Sequence, residues 1–153
     1  MMSIVDDVRA TQADALKAIE GLTSSQLEAP GTIGKWSARD VILHIAMWTG
    51  ECLKGFAVWK TGHDYDWNYA KEYLMFNDFW IKSCAHLGPD QVIQMFNLNY
   101  SALLNELTAV PEDLWKSRGG SPDWLSGIAV EHARQHIDKL NDYRNKVLHK
   151  ISI

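Results

Sequence analysis

Apolar residues recur every three to four positions along nearly the whole chain, which is the period of amphipathic helices. Ile4, Val8, Ala15, Ile19 and Leu22 mark the first such face and predict a helix from about Ser3 to Leu22. Ser3 caps its start with Asp6 three residues on. Thr23-Ser24-Ser25 and Pro30-Gly31 then interrupt the period, so residues 23–34 read as a long connection. A second helix opens at Ser37, with Asp40 at its third position, and runs to about Lys60 on a stripe of Val41, Ile45, Trp48 and Cys52. His44 stands at the edge of that stripe, in a row with Asp40, Met47 and Glu51.

Residues 61–68 are polar and turn-like. Tyr73, Phe76, Trp80 and Cys84 set a further helical stretch, which Gly88-Pro89 stops and restarts. The next helix reaches about Leu107, with Val92, Phe96, Leu103 and Leu107 on one face beside Asn99, and Pro111 ends it. Gly119-Gly120-Ser121-Pro122-Asp123 signals a last start. The final helix extends to about Lys150 on a stripe of Ala129, His132, His136, Leu140, Tyr143 and Val147. No segment alternates with period two for long enough to be a strand. The expectation is an all-α, single-domain chain over residues 1–153, a four-helix bundle with the stretch at 70–86 as an extra helix before the third main helix.

Composition narrows the function classes. Hydrophobic residues make up 46% and charged residues 22% of 153, enough apolar surface for a packed core and too much for disorder. Fifteen basic against nineteen acidic residues give a formal net charge of −4, and no basic block stands out. That argues against nucleic-acid binding through phosphate contacts. No apolar run has the look of a membrane span, and the start Met1–Asp7 is acidic without a signal-peptide layout, so the cytoplasm is the expected location. Cys52 and Cys84 belong to no Cys-x-x-Cys pair and are expected to be half-buried packing residues. The seven tryptophans are scattered, which suits core and helix-junction positions with one or two walling a pocket.

The chemistry points to histidine. His132 and His136 are four residues apart in the last helix, which turns the chain by roughly 40° and advances it about 6 Å, so both rings project from one face. That face is the apolar stripe, where an imidazole is costly unless it finds a partner: a metal, a water network or a facing carboxylate. If the second helix packs against the last, His44 joins them. Three neutral nitrogen ligands leave a coordination position open, as in a catalytic rather than a structural metal site. No fourth ligand is obvious. Glu51 lies about 10 Å beyond His44 along the helix axis and reads as an outer partner, a general base or a surface charge. Asp40 serves the helix cap. His63 in a polar loop, His86 before a helix end and His149 near the C-terminus are unremarkable.

Trp36-Ser37-x-x-Asp40-Val41-x-x-His44, with Trp48 one turn later, resembles the second-helix signature of the DinB-like superfamily, the DinB/YfiT-like metalloenzymes. Glu131-His132-Ala133-Arg134-Gln135-His136-Ile137 resembles that family's closing motif, and Asn77-Asp78, Gly88-Pro89 and Leu103-Leu104 agree more loosely. The resemblance spans nearly the whole chain. It implies an up-down-down-up bundle, a homodimer, and a divalent metal, nickel or zinc, held by one histidine of the second helix and two of the last. Carried onto this chain those are His44, His132 and His136. The superfamily includes thiol-dependent transferases and isomerases, some using bacillithiol or mycothiol, and a toxin-resistance branch that hydrolyses a cyclopropane.

The resemblance therefore implies a metal-dependent enzyme acting on a small molecule, of hydrolase or thiol-dependent transferase type, with Glu51 as the candidate for proton transfer. A low-molecular-weight thiol is a candidate second cofactor, although no thiol-binding motif transfers to particular residues. Two other readings fit the same chain: a non-catalytic protein that binds or sequesters a small molecule, and a structural dimeric bundle without metal. None of the three calls for a nucleic-acid or membrane partner.

Overall fold

The computed structural model describes residues 3–68 and 72–151. Met1 and Met2 of the acidic start, positions 70–71 of the extra helix and the Tyr73 side chain of its apolar face lie outside the described residues. The elements are α1 (Ile4–Lys17), α2 (Ser24–Glu28), α3 (Ala38–Lys60), α4 (Tyr73–Ser83), α5 (Pro89–Thr108), α6 (Glu112–Ser117), α7 (Asp123–Ser126), a π-helical turn (Gly127–His132) and α8 (Ala133–Ile151). Among the described residues there is no strand, only an isolated bridge between Ile33 and Trp36.

Each helix start has a local cause. Ser3, Thr23 and Ser37 accept from the backbone three residues on, and Asp6, Gln26 and Asp40 reach back to the cap, closing three capping boxes. Pro89 opens α5 at a position where no backbone donor is needed. The start of α3 is tied down further. Arg39, almost buried, donates from Nε to the Leu87 carbonyl at 2.9 Å, from Nη1 to Asp40 at 2.7 Å and from Nη2 to the Cys84 carbonyl. It thereby satisfies carbonyls at the end of α4 and fixes α4 to the first turn of α3.

Helix α3 is the core element. It packs along α5 and against the π turn and α8, while α1 packs against α5 and the same C-terminal segment. Ile42, Leu43, Phe56, Phe96, Tyr100, Leu103, Leu125 and Leu140 are fully buried between them. The α3–α5 approach is close because Ala46 and Gly50 are small. Asn99 donates to the Ala46 carbonyl at 2.8 Å, and a Cβ on Gly50 would lie 3.4 Å from the same amide. Helix α3 is also, among the described residues, the one helix long and apolar enough to cross a membrane, and 61% of its most apolar window is buried in the fold. Its hydropathy is that of a core helix.

Several expectations need correction. Helix α1 stops at Lys17, not Leu22, because residues 18–22 close in tight turns and Gly21 takes φ +82°. The connection 23–34 contains α2, whose Thr23-x-x-Gln26 box was visible as a capping pattern. A further short helix, α6, follows Pro111. Cys52 is fully buried rather than half-buried, and burial pushes its thiol pKa up; Cys84 is half-buried as expected. The last helix is not continuous: a π turn interrupts it, ending at His132, four residues before His136.

Gly55 on α3 faces a cluster of rings. A Cβ there would stand 2.9 Å from Trp67, 3.1 Å from Trp124 and 3.2 Å from Tyr65. Gly55→Val forces those rings apart and is expected to lower stability by about 1–3 kcal/mol. Urea unfolding checks this: an unchanged midpoint would mean that the aromatic cluster yields freely.

Candidate metal centre

Three elements bring the histidines together. His44 projects from the second turn of α3, nearly buried at 3% exposure rather than at the edge of the stripe. His132 is the last residue of the π turn and His136 lies one turn into α8. The Nε2 atom of His132 lies 3.2 Å from that of His44 and 3.2 Å from that of His136. Ligand atoms of all three lie within 4.8 Å of one another.

Protons alone serve this arrangement poorly. A neutral imidazole nitrogen carries either one hydrogen or one lone pair. His132 Nε2 faces two equivalent nitrogens, so one good N–H···N bond leaves the second contact unmatched. A cation among three lone pairs satisfies all of them. With metal–nitrogen bonds of about 2.05 Å, the 3.2 Å separations subtend roughly 100° at an ion, close to tetrahedral. The residues present therefore fit a divalent metal. His44 Nδ1 is buried without a hydrogen-bond partner, so no bond on that side of the ring sets which nitrogen carries the proton.

The electrostatics agree. Burial, then the neighbouring His136 and His132, lower the His44 pKa from 6.5 to about 3; nearby Asn77 opposes the shift and Lys139 adds to it. Burial, His132 and Lys139 lower His136 to about 4. His132 is lowered by burial and Lys139. All three are held neutral at pH 7, the form that binds metal.

The histidines line a cavity of about 660 Å³, of the size of small-molecule sites. Its other walls are mostly tryptophan: Trp36, Trp48, Trp67 and Trp124. Trp36 is set by a two-residue turn in which Ile33 and Trp36 exchange backbone hydrogen bonds at 2.9 and 3.0 Å, with Gly34 between them at φ +60°. Its ring sits 4.7 Å from that of His44. Trp48 donates from Nε1 to Asn77 Oδ1 at 3.1 Å, fixing an amide that lines the cavity.

The π turn positions His132. Tyr100, fully buried on α5, donates to the Ala129 carbonyl within that turn at 3.2 Å. Wide turns of this kind are frequent at functional sites.

The structure does not bring Glu51 to the histidines. It lines a neighbouring cavity and pairs with Lys54 at 2.8 Å. Asp40 serves the cap, as expected. Sequence reasoning expected one or two tryptophans to wall a pocket without identifying them, and the structure places four there. Sequence reasoning missed Tyr100 and the π turn. Asn77 carried a faint signal in the Asn77-Asp78 pair.

The family model of the DinB superfamily matches residues 7–138, which contain all three histidines and both flanking motifs. The chain belongs to the DinB superfamily. No curated protein and no solved structure matches it. Membership extends the resemblance from two motifs to most of the chain.

Two consequences are measurable. An imidazole held below 6.5 in the fold binds protons more weakly than in the unfolded chain, so its contribution is whole above about pH 6.5 and is lost as pH falls toward 4 and then 3. The urea midpoint of metal-free protein should drop over that window, and His44→Gln should flatten the drop; identical pH profiles would contradict it. Tyr100→Phe leaves the buried Ala129 carbonyl without its side-chain donor and should cost about 1–3 kcal/mol, read by the same unfolding assay.

Proposed function

We propose that the chain is a metal-dependent enzyme acting on a small molecule, with a divalent metal held by His44, His132 and His136. The observation that carries the reading is the convergence of three imidazoles at the wall of an apolar cavity, with His132 Nε2 3.2 Å from the Nε2 of each of the other two. A divalent ion with a free coordination position supplies Lewis-acid chemistry, which serves hydrolysis and thiol transfer alike. The chain's own residues do the rest. The three imidazoles stay unprotonated at neutral pH, Trp36 and Trp48 shield their rings from water, and the Asn77 amide offers a fixed polar contact beside the metal position.

Nickel and zinc are the ions proposed, on the family resemblance. The same resemblance supports a four-helix bundle with up-down-down-up order and a homodimer, while a net charge of −4 without a basic block and the burial of α3 support a cytoplasmic location with no nucleic-acid or membrane partner.

Elemental mass spectrometry on untagged protein, as purified and after zinc or nickel reconstitution, tests the centre. The expected result is close to one metal per chain, lost in His132→Ala with the helical circular dichroism retained. His132 is the residue to remove because its nitrogen touches both others. Full occupancy in the variant would overturn the ligand set. No metal in any preparation would shift the reading to a protein that binds or sequesters small molecules.

A further inference from the structure

We infer that the three-histidine cavity takes a neutral, flat, apolar molecule whose single polar handle is the group that meets the metal. It is not shaped for a charged or sugar-bearing thiol. This rests on the metal reading above and names the substrate class of that site.

The argument is the sorting of charge around the cavity. Away from the histidines and Asn77 its walls are four indoles and Ile128, and among the described residues no Lys, Arg, Asp or Glu lines it. Asn77 Oδ1 already accepts from Trp48. Beyond the metal position and the Asn77 amide, a second charged group or a polyol entering this space would shed water with no charged side chain to meet it, which is unfavourable. Charged side chains are close by but line other pockets. Lys35 and Lys139 line a separate pocket of about 390 Å³ that shares Trp36 and His136 with the main cavity. Glu51 and Lys54 line another, of about 630 Å³, whose Trp80 meets Trp48 edge to face at 5.3 Å.

The shape agrees with the charge. Trp67 and Trp124 meet with centroids 5.0 Å apart at 53°, forming an angled corner, and Trp36 tilts at 43° against His44. Indole faces present flat apolar walls, which suit a planar ring system. The corner exists because Gly55 carries no side chain.

The test uses protein loaded with Co(II) and a series with one constant metal-binding head: acetohydroxamate, phenylacetohydroxamate, 2-naphthylacetohydroxamate and 4-carboxyphenylacetohydroxamate, with glutathione beside them. The cobalt visible spectrum reports coordination, and titration calorimetry reports affinity. Each added ring system is expected to tighten binding by about tenfold or more, and the carboxylate to weaken it by a similar factor. Trp124→Ala should shrink the gain from the naphthyl group. Glutathione should leave the cobalt spectrum unchanged at concentrations that saturate with the naphthyl compound. Equal affinity for the acetyl and phenylacetyl heads, or tight glutathione binding, would overturn the inference while leaving the metal centre standing. If no cobalt is taken up, the metal reading fails. Tryptophan quenching of metal-free protein by neutral 2-naphthylacetamide against anionic 2-naphthylacetate then decides the inference. Preference for the neutral probe supports it, and no preference overturns it.

Discussion

Three imidazole nitrogens that point at one another lack the protons to satisfy every contact, and the structure around them is arranged to keep that mismatch in place. His132 cannot turn away, because its backbone is held in a π turn that Tyr100 bonds from α5. His44 cannot swing out, because Trp36 covers its ring and α3 is locked at its start by the Ser37 cap and by Arg39. Each restraint begins in a different element, so the site is a product of the whole packing and not of one loop. A cluster left unsatisfied would be a burden on folding; filled by a cation, it becomes the reason to preserve the packing.

Helix α3 organises the surroundings. Its small residues Ala46 and Gly50 admit α5 closely, and Gly55 admits the rings of Tyr65, Trp67 and Trp124. Further back on the same helix, His44 and Trp48 face the main cavity, while Glu51 and Lys54 face its neighbour. His44 and Glu51 are seven residues apart and so leave α3 on nearly the same face, and about 10 Å of axial rise sets the metal-binding nitrogen apart from the charged oxygens. The charged pair is kept near the site without being part of it.

The long helices were legible because burial imposes a period on the residues themselves. Ser37 with Asp40, and Gly88 with Pro89, mark α3 and α5 to within a residue, and the four-residue step from His132 to His136 identifies the shared face. What stayed hidden lacks a period. Trp67 sits in a polar connection and Trp124 within a four-residue helix, so nothing local ties either to His44. Residues 18–22 continue the apolar spacing of α1 although the backbone has already turned at Gly21.

The π turn from Gly127 to His132 fits one residue more than an α-helix would place over the same rise. In an α-helix each residue adds about 100° of rotation. The turn thus works as a phase shifter between the two halves of the last helical segment. Trp124 before the turn, Ile128 and His132 within it and His136 after it come to face the same cavity, which one continuous α-helix would present at a different angle. A chain shortened by a single residue within this turn could regain regular hydrogen bonding and still lose the cavity. The irregular backbone is what couples the wall of the pocket to the ligands within it.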